Sequence, residues 1–480
     1  MLCAARMAAA GGGPRSTHRD LRAVSMTPAQ GRSVTTEFAS DLVAQFPRFA
    51  GMTDCDAIVL RLADTLACAM GAESLVGTAD NAVSRIAKYS AQGSGSHEAT
   101  IWATGEKRSV DAAAFRNAVS ARYLDLNDTF IGNTIVHPSD MIPAIVALAE
   151  SRAIAWSRVV EAIGVAYETL CRAAEQAKLG ANGLDNSSLT PLATAAGCAW
   201  LIDLDAQRAA NALKLAVLDS ATLRCIRSGH VSEWKAIASP RGTIKALFAI
   251  RMAELGTSAP ETAFENKDGF FARASGPLSF PPDNRPRLRD TVLKQYPSQI
   301  FTQAMIEMAR EINEQRAGKP IASVTIRTFD RAVEMVGGDS RAGGHDLNRE
   351  TADHSAAFCV AAMLTRRRLG YRDFEVFLSD ADILGLMARV RVVDIGQAAD
   401  AYPKAQTSEL DVELADGSRL TARRTGPPAV NAAMLQAKLD DLWPASRKRD
   451  WPWHLSGNAP TFPVASANAG GPILVKAGGH

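Results

Sequence analysis

Apolar residues recur every three or four positions along most of the chain from Thr36 to about Gly269. The run Ala57-Ile58-Val59-Leu60-Arg61-Leu62-Ala63-Asp64-Thr65-Leu66 is typical, and this spacing builds one buried face of a helix. Met141 to Ser151, Val159 to Glu175 and Pro191 to Ile202 repeat it, separated by Gly, Pro and Asn breaks. Alanine is frequent throughout, which lets helices approach closely. Between Gly269 and Pro286 the pattern stops, because Gly276-Pro277, Pro281-Pro282 and Asn284-Arg285-Pro286 cannot sit inside regular structure. Beyond this linker the text predicts a helix from about Thr302 to Gln315, a strand from Ile321 to Phe329 and a helix from Ala352 to Arg367. It then predicts a helix capped by Ser379, a strand from Val390 to Asp394, and a hairpin whose arms, Leu410 to Leu414 and Arg419 to Arg423, flank Asp416-Gly417. Helical spacing returns from Ala432 to Leu442.

These shifts predict a mainly α chain: a large all-helical domain with an inserted smaller α+β lid domain. The boundaries fall at a disordered leader over 1–35, helical text over 36–275, the lid over 276–426, a helical return over 427–456 and a loose tail over 457–480. The leader holds Arg6, Arg15, Arg19, Arg22 and Arg32 against the single acid Asp20, and its Gly11-Gly12-Gly13-Pro14 break interrupts any amphipathic targeting helix.

A chain of 480 residues exceeds the usual size of one core, and 47% hydrophobic with 22% charged residues excludes a largely disordered polymer. Lys and Arg number 53 against 51 Asp and Glu, so charge points to neither nucleic acid nor a membrane as partner. The seven cysteines, at 3, 55, 68, 171, 198, 225 and 359, contain no C-x-x-C pair and read as small buried hydrophobes in a reducing, cytoplasmic setting. No uncharged stretch is long and apolar enough to span a bilayer.

Three places could carry chemistry. Tyr123-Leu124-Asp125-Leu126-Asn127-Asp128-Thr129-Phe130 and Val136-His137-Pro138-Ser139-Asp140 put a dense polar cluster between apolar helices. Asp125 and Thr129, four apart, would share a helix face, and a carboxylate can orient an imidazole such as His137. The same residue types also cap helices, so Asp128 or Thr129 could end one helix and Ser139 start the next. Lys235, in Ser232-Glu233-Trp234-Lys235-Ala236-Ile237, is either a solvated cation or a desolvated one able to bind a carboxylate or move a proton. Asp125, Asp128 and His137 match no familiar metal-ligand spacing, and there is no Walker loop, dinucleotide fingerprint, G-x-S-x-G or iron–sulfur pattern, so neither a metal nor an organic cofactor is expected.

The strings Tyr123-Leu124-Asp125-Leu126-Asn127-Asp128-Thr129, His137-Pro138-Ser139-Asp140, Trp234-Lys235, Lys294-Gln295-Tyr296-Pro297 and Thr351-Ala352-Asp353-His354-Ser355 resemble, in that order, the MmgE/PrpD family over about residues 36 to 455. The family includes 2-methylcitrate dehydratase, cis-aconitate decarboxylase and iminodisuccinate epimerase. The resemblance implies a cleft between helical body and lid, a homodimer, and a small di- or tricarboxylate substrate turned over without cofactor. It implies a hydro-lyase that abstracts a proton and eliminates water, with an epimerase, isomerase, decarboxylase or inactive dicarboxylate-binding protein as the alternatives. It also places Asp125, Thr129 and His137 in that cleft and matches Lys235 to the family's active-site lysine. The expectation that follows is Asp125, His137 and Lys235 in catalysis, Thr129 and Lys294 in substrate binding, and Arg227 and Arg241 as secondary carboxylate forks. Three positions depart from the family pattern. Asp185 and Asn186 stand where decarboxylase-type members carry histidine, Ser298 to Gln303 lacks a histidine common after the Lys-x-Tyr-Pro motif, and Phe358 replaces a frequent tyrosine.

Overall fold

The computed structural model describes residues 37–92, 97–227, 231–338, 347–396 and 401–443, together with two strands, Phe462–Ala465 and Pro472–Val475, which pair antiparallel. The expected leader lies outside the described residues, as does the expected tail apart from those strands. Helical period becomes helix over α1 (Phe38–Gly51), α2 (Cys55–Glu73), α3 (Ala82–Ala91), α4 (Val110–Tyr123), α5 (Ile142–Ser151), α6 (Trp156–Gln176), α7 (Thr190–Leu201), α8 (Ala206–Leu218) and α9 (Trp234–Glu254). Their starts are set by side-chain caps where the sequence supplies them. Asp54 accepts from the Ala57 amide, Asn81 from Ser84, Ser109 from Ala112 and Asp205 from Arg208, each satisfying an N–H that the helix leaves open. The small residues let α6 and α7 pack with little between them: a β-carbon on Gly197 would lie 2.8 Å from the Ala162 carbonyl oxygen.

This half is not purely helical. Two short antiparallel pairs interrupt it, β1 (Ala99–Thr100) with β2 (Lys107–Arg108) and β3 (Phe130–Ile131) with β4 (Ile135–Val136). The residues 276–286 carry no regular structure but are tied down, with Gln176 bonded to the Ser279 amide and carbonyl and Asp283 paired with Arg172 and Arg287.

A second apolar core follows, built from α10 (Thr302–Gln315), β5 (Ile321–Thr328), α11 (Asp330–Val336), α12 (Ala356–Arg366), α13 (Ala381–Met387), β6 (Val390–Asp394), β7 (Thr407–Leu414) and β8 (Arg419–Thr425). The four strands lie in the order β6-β5-β7-β8, with β5 and β6 parallel and the other pairs antiparallel. A parallel pair needs a long crossover, and the helices between β5 and β6 supply it. Alternation sends Val324, Ile326, Leu410, Val412 and Leu414 inward against α10 and α12. Asp416-Gly417 turns the β7–β8 hairpin, with Gly417 at φ +81°, a conformation glycine adopts without a steric penalty. Finally α14 (Ala432–Leu442) lays Leu435, Leu439 and Leu442 against Ala67, Cys68 and Ala72 of α2.

Three details differ from the sequence reading. The helix expected from Ala352 begins after Ser355, whose hydroxyl accepts from the Phe358 amide, so Asp353 and His354 sit in a turn. Asp380, not Ser379, caps α13, because its carboxylate reaches the amides of Asp382 and Ile383. Cys68, Cys171, Cys198 and Cys359 are buried, but Cys55 in a first helical turn and Cys225 in a surface turn are exposed. Among the described residues no helix is long and apolar enough to cross a membrane.

The close α6–α7 approach is testable by melting. Overpacking costs about 1–3 kcal/mol against about 1 kcal/mol gained by helix propensity. Gly197→Ala is therefore expected to lower Tm, whereas Gly385→Ala, whose β-carbon would meet nothing within 4 Å, is expected to raise it slightly.

Candidate functional site

Helix α4 ends at Tyr123, and Asp125, with φ +50°, takes the left-handed conformation that commonly closes a helix. The stretch from Asp125 to Thr129 is therefore a loop, and the shared helix face expected of these two residues does not exist. The loop leads into the β3–β4 hairpin, whose Phe130–Val136 pairing brings Thr129 and His137 alongside each other. Thr129 also exchanges backbone hydrogen bonds with Val292, at 2.9 and 2.7 Å. That bridge registers the distant stretch carrying Lys294, so that the lysine ammonium donates to both the backbone oxygen and Oδ1 of Asp125, each at 2.8 Å. Neither Asp128 nor Ser139 caps a helix: Asp128 accepts from the Ser139 amide and the Tyr167 hydroxyl, each at 3.0 Å, and so closes the loop on itself.

Asp125 stands at the centre of the buried charges. Besides Lys294 it accepts from Arg122 at 2.6 Å, and Nδ1 of His354 lies 3.8 Å from its Oδ2. Burial would raise its pKa, but Lys294 and Arg122 outweigh that and hold it well below the usual carboxylate range. Lys235, in the first turn of α9, forms an ion pair with Asp353, and Asp353 in turn takes a 2.5 Å hydrogen bond from Nδ1 of His354. Burial and the Lys235 charge lower the His354 pKa to about 4. The ring is therefore neutral near pH 7. Because Nδ1 faces carboxylate oxygens, the proton sits there, and Nε2 carries the lone pair.

His137 is neutral as well. Burial, Arg122 and Lys294 push its pKa well below the ordinary imidazole value. Its Nδ1 lies 2.9 Å from the Asp128 carbonyl oxygen, which can only accept, and its Nε2 lies 3.0 Å from an Arg122 nitrogen, which can only donate. The tautomer follows, with the proton on Nδ1. Asp125 therefore reaches His137 only through Arg122, and the direct orienting contact expected from the sequence is absent.

A cavity of about 580 Å³ opens onto this cluster, between the first half of the chain and α11. Ile135, Leu184, Asp185, Asn186, Arg227 and His354 are among the residues that line it. His354, only 4% exposed, is the member of the buried cluster that faces the space. Arg227 lies in the wall, donating from Nε to Asp185 at 2.6 Å. Burial pushes the Asp185 carboxyl up, but Arg227 draws it below its ordinary range, so it is a fixed anion. Asp125, Thr129, His137, Lys235 and Lys294 thus come together, Arg227 lies across the cavity, and Arg241, exposed one and two-thirds turns beyond Lys235 in α9, does not join them. Phe358 is fully buried in the second core, stacked 5.8 Å from Phe374.

Three members of the cluster are absent from the sequence-based assignment: Arg122, Asp353 and His354. The signals were a charge inside an Ala-rich apolar helix and an Asp-His pair just ahead of another. Asp125, Asp353 and His354 bring three potential ligand atoms within 4.8 Å of one another. Both carboxylates are already neutralised by Lys294, Arg122 and Lys235, and those cations would repel a dication at the same point.

Comparison with known proteins finds the sequence model of the MmgE/PrpD N-terminal domain matching residues 52–282 and that of the MmgE/PrpD C-terminal domain matching residues 296–435. Similar curated proteins include the 2-methylcitrate dehydratase of Cupriavidus necator, 26% identical over 342 residues covering 64% of this chain and 68% of the relative. That of Escherichia coli K12 is 25% identical over 341 residues with the same coverage. The mitochondrial 2-methylcitrate dehydratase of Yarrowia lipolytica is 24% identical over 334 residues, 64% of each chain.

The His354 environment has a consequence for acid stability. With a folded pKa of about 4 against about 6.5 in the unfolded chain, the unfolded state binds the extra proton between those values. Its contribution is complete above about pH 6.5 and is lost as pH falls through about 4. Urea midpoints measured from pH 7 to 4 are expected to fall less steeply in His354→Asn than in the wild type.

Proposed function

We propose that this chain, which belongs to the MmgE/PrpD family, is a hydro-lyase that removes water from 2-methylcitrate or a closely related tricarboxylate, using side chains alone. The observation that carries this reading is the Lys235–Asp353–His354 chain ending at the cavity, because it offers a neutral imidazole base backed by a carboxylate and flanked by cations. In this scheme Nε2 of His354 takes the proton next to a substrate carboxylate. Lys235, Lys294 and Arg122, fixed before substrate arrives, supply the positive field in which the extra charge on that carboxylate develops. The departing hydroxide takes that proton back from the His354 imidazolium, so one proton leaves carbon and one reaches oxygen. Arg227, held by Asp185, binds a second carboxylate across the cavity. Thr129 and His137 keep the loop and Arg122 in place, with both His137 nitrogens occupied.

Dehydration is favoured over decarboxylation by Asp185. A decarboxylase must protonate the carbon that loses carbon dioxide, and a carboxylate locked to Arg227 has no proton to give. Closure of residues 276–426 as a lid, a homodimeric assembly and a cytoplasmic location belong to the same proposal.

The test is proton NMR in deuterated water with citrate, 2-methylcitrate, cis-aconitate and iminodisuccinate. The expected outcome is conversion of the 2-methylcitrate methyl doublet into an allylic methyl singlet, the mark of the new carbon–carbon double bond. Solvent deuterium entering without an alkene would mark an epimerase, and binding without conversion a non-catalytic protein. His354→Asn and Lys235→Ala, with folding checked by circular dichroism, are each expected to lower turnover by about 10²–10⁴-fold. Turnover within threefold of wild type in either variant would remove that residue from the chemistry.

A further inference from the structure

Asp125 keeps a left-handed backbone although it is not glycine, and such a residue persists only where its surroundings over-determine it. Two successive carbonyls of this turn are each held by a buried ammonium. Lys294 donates to the Asp125 oxygen at 2.8 Å, and Lys438 donates to the Leu126 oxygen at 2.9 Å. Lys438 comes from α14, 312 residues further along the chain. Its side chain is 5% exposed and forms an ion pair at 2.5 Å with Asp64 of α2, whose side chain is 1% exposed. Around this polar contact, Leu435, Leu439 and Leu442 of α14 share one apolar cluster with Leu124 and Leu126. The loop that presents Asp125 is thus clamped on its apolar and its polar side by the same C-terminal helix.

From this geometry we propose that Lys438 is a positioning residue for the site: by docking α14 onto the Leu126 carbonyl it sets where the Asp125 carboxylate stands between Lys294 and Arg122. The inference rests on the proposed dehydratase site for its catalytic consequence, but not for its structural one. Asp64 fits the role of an anchor. Burial pushes its carboxyl upward and Lys438 opposes that shift, so the ammonium that serves the loop is itself held from below. A bare buried charge would be costly, and the two are best removed together.

The experiment compares the full-length wild type with Asp64→Asn, Lys438→Arg and Asp64→Asn/Lys438→Met. Two readouts are used: kcat and KM on 2-methylcitrate, and amide hydrogen exchange over residues 124–129. In the double variant kcat is expected to fall about ten- to a hundredfold with KM within threefold, since small displacements of a catalytic group have that effect. Exchange in the loop is expected to quicken at least tenfold, and to quicken less in Asp64→Asn alone, which keeps the lysine but removes its anchor. Lys438→Arg keeps a charge beside Asp64 and decides the matter if the double variant does not fold. In it kcat is expected to drop about three- to tenfold with Tm unchanged. Wild-type loop exchange in the double variant, or wild-type kcat and exchange in Lys438→Arg, overturns the proposal. If the wild type dehydrates no tricarboxylate, the functional reading fails, and loop exchange alone decides this one.

Discussion

A carboxylate taken wholly out of water is tolerable only with cations against it, and Asp125 has one partner three residues away and draws the others from distant parts of the chain. Arg122 comes from the end of α4, Lys294 from the stretch after the linker, and His354 from the turn before α12. Each of those groups is buried too, and each would be costly if left alone. Their pairing is one of the places where the first core is joined to the second. The cavity lies beside that point, with His354 of the cluster in its wall.

The same arrangement sets the protonation states. Burial, helped by the cations crowded around them, drives both imidazoles toward the neutral form, but only His354 of the two faces open space; His137 has both nitrogens engaged by Arg122 and the Asp128 carbonyl. Two histidines in one cluster are thus told apart, one open to the cavity and one locked in the loop, by hydrogen bonding, not by residue type. Likewise Arg227 and Arg241 are alike in composition and differ in consequence. One is anchored by Asp185 in the cavity wall, while the other faces solvent from α9.

Much of this fold was legible beforehand. The helical period of α2, α6 and α7, the α10 boundaries at Thr302 and Gln315, the strand at Val390–Asp394 and the Asp-Gly turn of the β7–β8 hairpin all follow from local spacing and turn chemistry. Periodicity reports which face is buried, and turns report which backbone angles are needed, so both survive without knowledge of partners. The site was legible in part. Polar residues packed between apolar helices marked Asp125, Thr129 and His137, a cation among apolar neighbours marked Lys235 as one of two open readings, and the family resemblance added Lys294. The loop conformation of Asp125 to Thr129 was misread because a four-residue spacing also suits a helix, and a single left-handed residue leaves no periodic trace.

From its letters alone the chain determines where helices and strands form and which side chains are too polar to sit idle among apolar neighbours, since those are properties of a few adjacent residues. Only the tertiary structure decided that Lys235 would meet Asp353 and that His354 would face the cavity. It decided too that a lysine near the C-terminal end would hold the Leu126 carbonyl. Those pairings join residues more than a hundred positions apart or fix which nitrogen of a ring carries a proton. They depend on packing and desolvation, which sequence spacing does not encode.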